Sequence, residues 1–377
     1  MASAPDGGTG AESHGGRARP TERRSVPSGL SVEVGLRAAL AVGVPLLVLL
    51  AVGRLDLTAY ATFGAFTALY GRNEPYRLRI RSVSVGAVAL LVSITLGILV
   101  AALGEPLWLL APLLLVIVAG GTLLAATFQL IPAQPLFFVF ALLVCAAVPT
   151  PAADIVPRVL LAASVAVFSW LLTMSGWLLR RARGLDRGVF GELFFKELRR
   201  APSVDRGAVR DLRVWLTIAQ NLLGVLIAGG IALLFGLGHA YWAIVSLVAV
   251  IPPARSAHSI SRSVHRIVGT VVGVGVTVLL LFWSPPPLFV IAVIVVCQVF
   301  AEILVGRHYG SALVFITPMA LSVSHLVSPV PLSVLAVDRV LETVLGAGVG
   351  IVLVLAARWV ERRFVESSGR RGAPAAG

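Results

Sequence analysis

The chain has 377 residues, of which 58% are hydrophobic and only 13% are charged, and its mean hydropathy is +0.93. This composition excludes an ordinary soluble domain and predicts a polytopic membrane protein. Because a membrane-spanning helix takes about 20 residues, no room remains for a large soluble catalytic domain, and the net charge of +13 is to be tested first as a topology signal.

The chain begins with residues 1–31, which are rich in Gly, Ala, Pro, Ser and Arg and have no periodic apolar pattern. Such a segment cannot bury a core, so we predict a disordered cytoplasmic tail. The first apolar run, Leu36–Gly53, leads directly into further apolar runs, which indicates a retained helix rather than a signal peptide. Twelve such runs predict spans at 36–53, 57–71, 82–103, 107–128, 135–149, 155–179, 214–236, 240–253, 264–283, 286–304, 309–323 and 336–359.

The predicted spans form two groups of six on either side of a basic stretch. We therefore predict an all-α fold with a first membrane repeat over 32–180, a basic cytoplasmic linker over 181–213, a second repeat over 214–360 and a cytoplasmic tail over 361–377. Placing both termini in the cytoplasm puts 28 of the 31 Lys and Arg residues on that side, as the positive-inside rule requires. The other three are Arg54, Arg158 and Arg339.

The two groups of spans resemble each other in sequence. The short motif that ends at Tyr60 recurs at Tyr241, and Arg158-Val-Leu recurs as Arg339-Val-Leu, both at an offset of 181 positions. Six spans per repeat preserve orientation, so we predict halves related by an axis along the membrane normal. The chain would then be a pseudo-dimer with a pathway between its halves.

Arg262 and Arg266 lie four residues apart at the start of a predicted helix, and therefore on one helix face. Together with Arg81 of the first repeat, they are candidates for a ring of guanidiniums that gathers anions at the cytoplasmic mouth of a pathway. The alternative is that these side chains are positive-inside anchors that snorkel to lipid phosphates.

Arg158 and Arg339 oppose the positive-inside bias, and each opens the last span of its repeat. An arginine inside a span costs about 2.5–3.5 kcal/mol on insertion scales, so a place on the pathway or a local ion pair must hold it. Asp154 precedes Arg158, and Asp338 and Glu342 flank Arg339, each within one helical turn.

Two acids inside or near the spans, Glu302 and Glu342, are candidates for proton coupling, because a carboxyl group within a membrane is by default a functional candidate. Pairing with Arg307 or Arg339 is the alternative.

The second and fifth predicted spans of each half are only about 13–15 residues long and are broken by Pro or Gly. Short, interrupted segments at corresponding places in two halves point to a transport site. Tyr60, Tyr241 and Trp242 lie on these segments. Their rings are candidates for stacking on a flat substrate, whereas the alternative is an interfacial aromatic belt.

The sequence contains no P-loop, zinc-protease or nucleophile-elbow motif. Cys145 and Cys297 lie within apolar runs, and His258 and His265 have no third ligand nearby. We therefore predict no enzyme activity, no catalytic residues, no metal and no cofactor.

Three stretches carry a family resemblance: Leu36-Arg-Ala-Ala-Leu with Ala65-Phe-Thr-Ala-Leu-Tyr-Gly71, the segment from Tyr241-Trp-Ala to Gly273, and Asp338-Arg-Val-Leu-Glu-Thr-Val-Leu-Gly346. In these the chain resembles the fusaric acid resistance family of inner-membrane proteins, relatives of aromatic-acid exporters and, more distantly, of plant aluminium-activated malate transporters. The resemblance covers most of residues 32–360 and implies export of small organic, often aromatic, carboxylates. Larger family members carry substantial cytoplasmic regions after each half, which this sequence lacks.

These observations predict a transporter that exports small organic, aromatic carboxylate anions across the cell membrane. Its predicted partners are the anion and the lipid bilayer, with no nucleic acid, and the sequence indicates no oligomeric state. A passive anion channel and a non-transporting scaffold for cytoplasmic or envelope-assembly partners are the alternatives.

Overall fold

A computed structural model describes residues 29–182, 200–253, 260–327 and 330–371. Within these ranges the chain forms twelve α-helices and no β-strand, which confirms the all-α class. Most of the predicted N-terminal tail and of the linker lies outside the described residues, together with His258 and residues 372–377. The rest of the predicted C-terminal tail is helical, because the last helix continues to Arg371.

The twelve α-helices fall at the twelve predicted positions. They are α1 Gly29–Ala51, α2 Thr58–Ala65, α3 Tyr76–Ala102, α4 Leu107–Thr127, α5 Leu136–Ala146, α6 Ile155–Ala182, α7 Leu212–Leu234, α8 Tyr241–Val250, α9 Ile260–Leu281, α10 Pro287–Val305, α11 Tyr309–Val327 and α12 Leu332–Arg371. Nine helices in the described part of the chain are long and apolar enough to span a membrane. The chain is a multi-pass membrane protein.

Three of the helices are too short to cross a bilayer: α2 has 8 residues, α5 has 11 and α8 has 10. Twelve complete spans are therefore not confirmed. The predicted short fifth span of the second half is wrong, because α11 has 19 residues and continues through Pro318. A proline inside a membrane helix is tolerated where neighbouring helices cover it, and Pro318 is buried.

The short helices are covered by the long ones. All eight residues of α2 are buried, as are nine of the ten in α8 and seven of the eleven in α5. Hydrocarbon offers no partner for a free backbone N–H or C=O, so a helix that ends within the bilayer must be enclosed by protein. The short helices therefore form the centre of the molecule.

Corresponding helices make corresponding contacts in the two halves. In the first half α6 packs on α2 and α3, and α3 packs on α5; in the second half α12 packs on α8 and α9, and α9 packs on α11. Between the halves, α1 packs on α10 and α5 on α8, and exchanging the halves gives the other two contacts, α7 with α4 and α11 with α2. This pattern supports the predicted pseudo-two-fold arrangement.

The beginning of α1 lies beside the end of α10, because a Cβ atom on Gly35 would contact Val299 and Ile303. The side of the molecule at which α1 begins is called the N side, and the opposite side is called the far side. Large aromatic side chains lie exposed near helix ends, including Trp108, Phe235 and Trp283, which are more than half exposed. Such residues are typical of the boundary between lipid and water.

The close approach of α12 to α8 depends on Gly346, because a Cβ atom there would lie on the carbonyl group of Ala243. We expect Gly346→Ala to lower the free energy of unfolding by about 1–3 kcal/mol through overpacking. The measurement is the melting temperature in detergent. Gly348→Ala on the same helix is the control, since nothing lies within 4 Å of a Cβ built there. Equal melting temperatures for the two variants would contradict this packing.

Candidate functional site

Arg339 lies in the first turns of α12 and is buried, with 1% of its surface exposed. Its guanidinium carbon is 3.7 Å from the centre of the Trp242 ring, a cation–π contact that holds the plane of the group. Two of its nitrogens, Nε and Nη1, have no hydrogen-bond partner. A buried donor without an acceptor costs about 1–3 kcal/mol, so the environment of this guanidinium lacks acceptors for two of its nitrogens.

The acidic neighbours of Arg339 are engaged elsewhere. Asp338 Oδ2 lies 2.7 Å from His239 Nδ1, and Glu342 Oε1 accepts a hydrogen bond of 2.9 Å from the backbone N–H of His239. No carboxylate lies within ion-pair distance of Arg339 among the residues that the structure describes. Neither acid contacts the Arg339 guanidinium as Asp154 contacts that of Arg158.

Arg158, the counterpart of Arg339 in the first half, has more hydrogen-bond partners. Its Nη1 donates to Tyr60 Oη and Thr150 Oγ1, both at 2.6 Å, and to the Pro149 carbonyl at 3.0 Å. Its Nη2 forms the expected ion pair with Asp154 at 3.4 Å, and only Nε lacks a partner. The two arginines therefore occupy matching positions with different degrees of saturation.

Arg262 and Arg266 converge on one side chain, Tyr309 at the start of α11. Arg262 stacks on the Tyr309 ring at 4.3 Å, and Arg266 Nη1 donates to the Tyr309 hydroxyl at 3.0 Å. Only 4% of Arg266 is exposed and its Nε has no partner, so this side chain does not snorkel to lipid. The predicted common helix face is confirmed, whereas nothing in the sequence analysis singled out Tyr309.

Polar side chains also bind backbone carbonyls at or beyond the ends of the short helices. Arg262 Nε donates to the carbonyl of Ala249 near the end of α8 at 2.7 Å, and Gln134 Nε2 donates to Ile251 just beyond it at 3.3 Å. The Arg158 bond to Pro149 does the same after α5. These contacts satisfy carbonyls that a helix end leaves free.

Tyr60 and Trp242 are fully buried, with 0% and 2% of their surfaces exposed, so neither belongs to an interfacial belt. Tyr241 is half-buried and lies beside Trp242, with ring centres 5.1 Å apart. Trp242 contacts Phe140 of α5 across the halves at 4.8 Å, and Phe140 contacts Phe63 of α2 at 5.0 Å. An aromatic row therefore joins the three short helices and ends on Arg339.

Arg81 and Glu302 lie apart from the buried cations of the second half. Arg81 Nη2 donates to the carbonyl of Pro202 in the linker at 2.6 Å. Glu302 pairs at 3.3 Å with Arg72, rather than with Arg307, and Arg72 also donates to the Glu302 carbonyl at 2.8 Å. Arg81 therefore has a different partner from Arg262 and Arg266, which share Tyr309.

A cavity of about 550 Å³ opens on the far side. It lies where α4 and α5 of the first half meet α7 and α8 of the second, and it is called the far-side cavity. Its walls are mainly apolar, and its polar groups include Glu105, His239, Tyr241 and Ser324. Burial raises the pKa of the Glu105 carboxyl, which lies in the loop before α4. This cavity is large enough for a small organic ligand.

A second cavity, of about 340 Å³, opens on the N side and is called the N-side cavity. It lies between α4 and α7, beside the loop before α5 and the residues after α8. Its polar lining comes from Gln129, Gln134, Asn221 and Arg200 among others. Arg200 also forms an ion pair with Glu74 and donates to the carbonyl of Gln129. Sequence reasoning missed these residues, because a lone amide in an apolar run or a basic residue in a linker carries no distinctive pattern.

Comparison with known proteins finds a family match within the second half of the chain. Residues 218–353 match the family described as "Fusaric acid resistance protein-like", which confirms the predicted resemblance over that range. A relative in Bacillus subtilis (strain 168), "Uncharacterized membrane protein YvaC", is 32% identical over 94 residues. That match spans 25% of this chain and 15% of the relative. No solved structure matches the chain significantly.

The Arg72 and Glu302 side chains join α10 to the loop before α3. We expect Arg72→Glu and Glu302→Arg each to lower the melting temperature in detergent, because each places like charges together in a largely buried site. The double exchange should recover part of the loss, since it restores opposite charges. Additive losses in the double variant would contradict a direct pair.

Proposed function

We propose that this protein is a transporter that exports small organic, aromatic carboxylate anions from the cytoplasm across the cell membrane, with the N side in the cytoplasm. Arg339 binds the carboxylate, and Arg266 and Arg262 supply positive potential on the N side of the same helix group. The observation that carries the proposal is the buried Arg339 guanidinium, whose Nε and Nη1 lack acceptors. It lies within the part of the chain that matches the family.

A carboxylate is the ligand that this environment favours. Charge-assisted hydrogen bonds to its oxygens would satisfy the free donors of Arg339, and the cation–π contact with Trp242 holds the guanidinium plane without using those donors. An aromatic body fits the nearby Tyr241 ring and the apolar wall of the far-side cavity.

The strength of this attraction suits transport. A carboxylate about 4 Å from a guanidinium gains roughly 4 kcal/mol at an effective dielectric of 20, before desolvation is subtracted. Binding of that order allows release, which a transporter needs as much as capture. The N-side location of most basic residues supports a cytoplasmic N side, from which anions are drawn in.

The other candidate residues have separate proposed roles. Glu342 is the proton-coupling candidate, because it is buried and its Oε2 has no hydrogen-bond partner. Glu302, paired with Arg72, has a structural role. Arg158 with Tyr60 holds the end of α5 in the first half, and Arg81 anchors the linker.

Arg339→Gln tests the proposed binding residue. Because it removes a charge-assisted bond of roughly 1.5–3 kcal/mol, we expect the efflux rate at low substrate to fall by about 10-fold to 100-fold. The measurement is efflux of radiolabelled benzoate from preloaded cells, with the amount of protein in the membrane checked in parallel. Arg54→Gln is the matched control, because Arg54 is exposed and pairs only with its neighbour Asp56. Unchanged efflux in Arg339→Gln would refute the assigned role.

Two further measurements separate the alternatives. A passive anion channel would keep moving benzoate after the proton gradient is collapsed, whereas a coupled exporter would stop. A non-transporting scaffold would move nothing in liposomes that contain the purified protein, and would recover a stoichiometric partner from cell extracts.

A further inference from the structure

The two helix seams between the halves are closed to different extents. In one seam α1 lies against α10, and glycines of α1 allow very close contact. A Cβ atom on Gly35 would lie 2.9 Å from the carbonyl oxygen of Val299, and one on Gly43 would lie 2.8 Å from Cγ2 of Val295. No residue of α1 or α10 lines either cavity described above. This seam is called the tight seam.

The pseudo-equivalent seam, between α4 with α5 and α7 with α8, contains both cavities. It is called the open seam. Gly230 of α7 lines the far-side cavity, and nothing lies within 4 Å of a Cβ atom built on it. One seam therefore brings the backbones of two helices together, and the other holds space that opens on both sides of the membrane.

An apolar layer separates the two cavities of the open seam. The far-side cavity ends against Leu143 and Ile244, and the N-side cavity ends against Pro135 and the residues after α8. Between them, side chains of α5 and α8 form one buried cluster with neighbours from α4 and α7. The members from the two short helices are Val139, Leu142, Leu143, Ile244, Leu247 and Val248.

We propose that the open seam is the passage for the substrate, and that the apolar layer between α5 and α8 is its gate. The proposal rests on the function proposed above and deepens it. An apolar constriction with no polar side chain excludes water and ions while it is closed. The tight seam keeps the halves together while α5 and α8 separate, so access passes from the N-side cavity to the far-side cavity.

The gate is in contact with the anion site. Phe140 of α5 packs on Trp242 of α8 with ring centres 4.8 Å apart, and Trp242 packs on Arg339 at 3.7 Å. Separation of α5 from α8 breaks the first of these contacts and therefore changes the surroundings of the guanidinium. Binding of a carboxylate at Arg339 and opening of the gate are thereby linked through one indole ring.

The lining of the cavities specifies the class of substrate further. Amide and hydroxyl groups in the N-side cavity suit a hydrated carboxylate that enters from water, whereas the far-side cavity is mainly apolar. A small ion such as chloride gains nothing from the apolar walls. The passage therefore fits a carboxylate with an apolar body. A substrate with one or two rings is small enough for the volume of the far-side cavity.

Gly230→Trp tests the passage by filling the far-side cavity. We expect it to abolish benzoate efflux while the protein still reaches the membrane. Gly275→Trp is the matched control, because Gly275 also has nothing within 4 Å of its Cβ position but lines neither cavity. Its efflux should equal that of the unchanged protein.

A second measurement does not depend on how the bulky variants fold. In a chain with Cys145→Ala and Cys297→Ala, Gly230→Cys is purified, placed in liposomes and labelled with a bulky maleimide, and mass spectrometry confirms the labelling. We expect transport to be lost on labelling and not before. Labelled protein that still transports would overturn the proposed passage.

The two proposals fail in different ways. If Arg339→Gln loses efflux while Gly230→Trp and labelled Gly230→Cys retain it, the passage is wrong and the carboxylate transporter stands. If the unchanged protein moves no carboxylate in liposomes, the proposed function itself is wrong. Loss of transport in the Gly230 variants together with retention in Gly275→Trp supports both.

Discussion

The fold depends on enclosing three helices that are too short for the bilayer. The ends of α2, α5 and α8 leave backbone carbonyls inside the protein, where water does not supply donors, and hydrocarbon would leave them unsatisfied. Arg262 and Gln134 bind carbonyls at the end of α8, and Arg158 binds one after α5. Several polar side chains of the interior therefore donate hydrogen bonds to backbone carbonyls, whereas others, such as Arg339, keep unpaired donors.

Arg158 and Arg339 show this division most clearly. Both begin the last helix of their half, and both are buried, but Arg158 has four oxygen partners while Arg339 rests on an indole face with two nitrogens unpaired. Arg158 Nη1 donates to Tyr60 and Thr150, whereas Tyr241, the counterpart of Tyr60, forms no hydrogen bond with Arg339. The two arginines therefore occupy matching positions in the two halves but differ in the number of nitrogens without a partner.

The positions of the helices could be predicted from the sequence, but the contacts between their side chains could not. Apolar runs and the punctuation by Gly, Pro and charge located all twelve helices, because length and hydropathy are local properties. The shared face of Arg262 and Arg266 followed from their spacing. Their common partner Tyr309 did not, nor did the pairing of Arg72 with a residue 230 positions away. The predicted length of α11 was too short because a proline usually ends a helix. Pro318 instead lies buried inside the helix, where neighbouring residues cover the interrupted backbone.

The unequal seams bear on why both halves share one polypeptide. In a dimer of identical six-helix subunits, two-fold symmetry makes the two seams identical, so glycines that close one would close the other as well. Here Gly35 and Gly43 stand on α1, and the corresponding helix α7 is free to carry a different face. Because the halves are covalently joined, each seam can evolve separately, and here one is closely packed while the other contains two cavities.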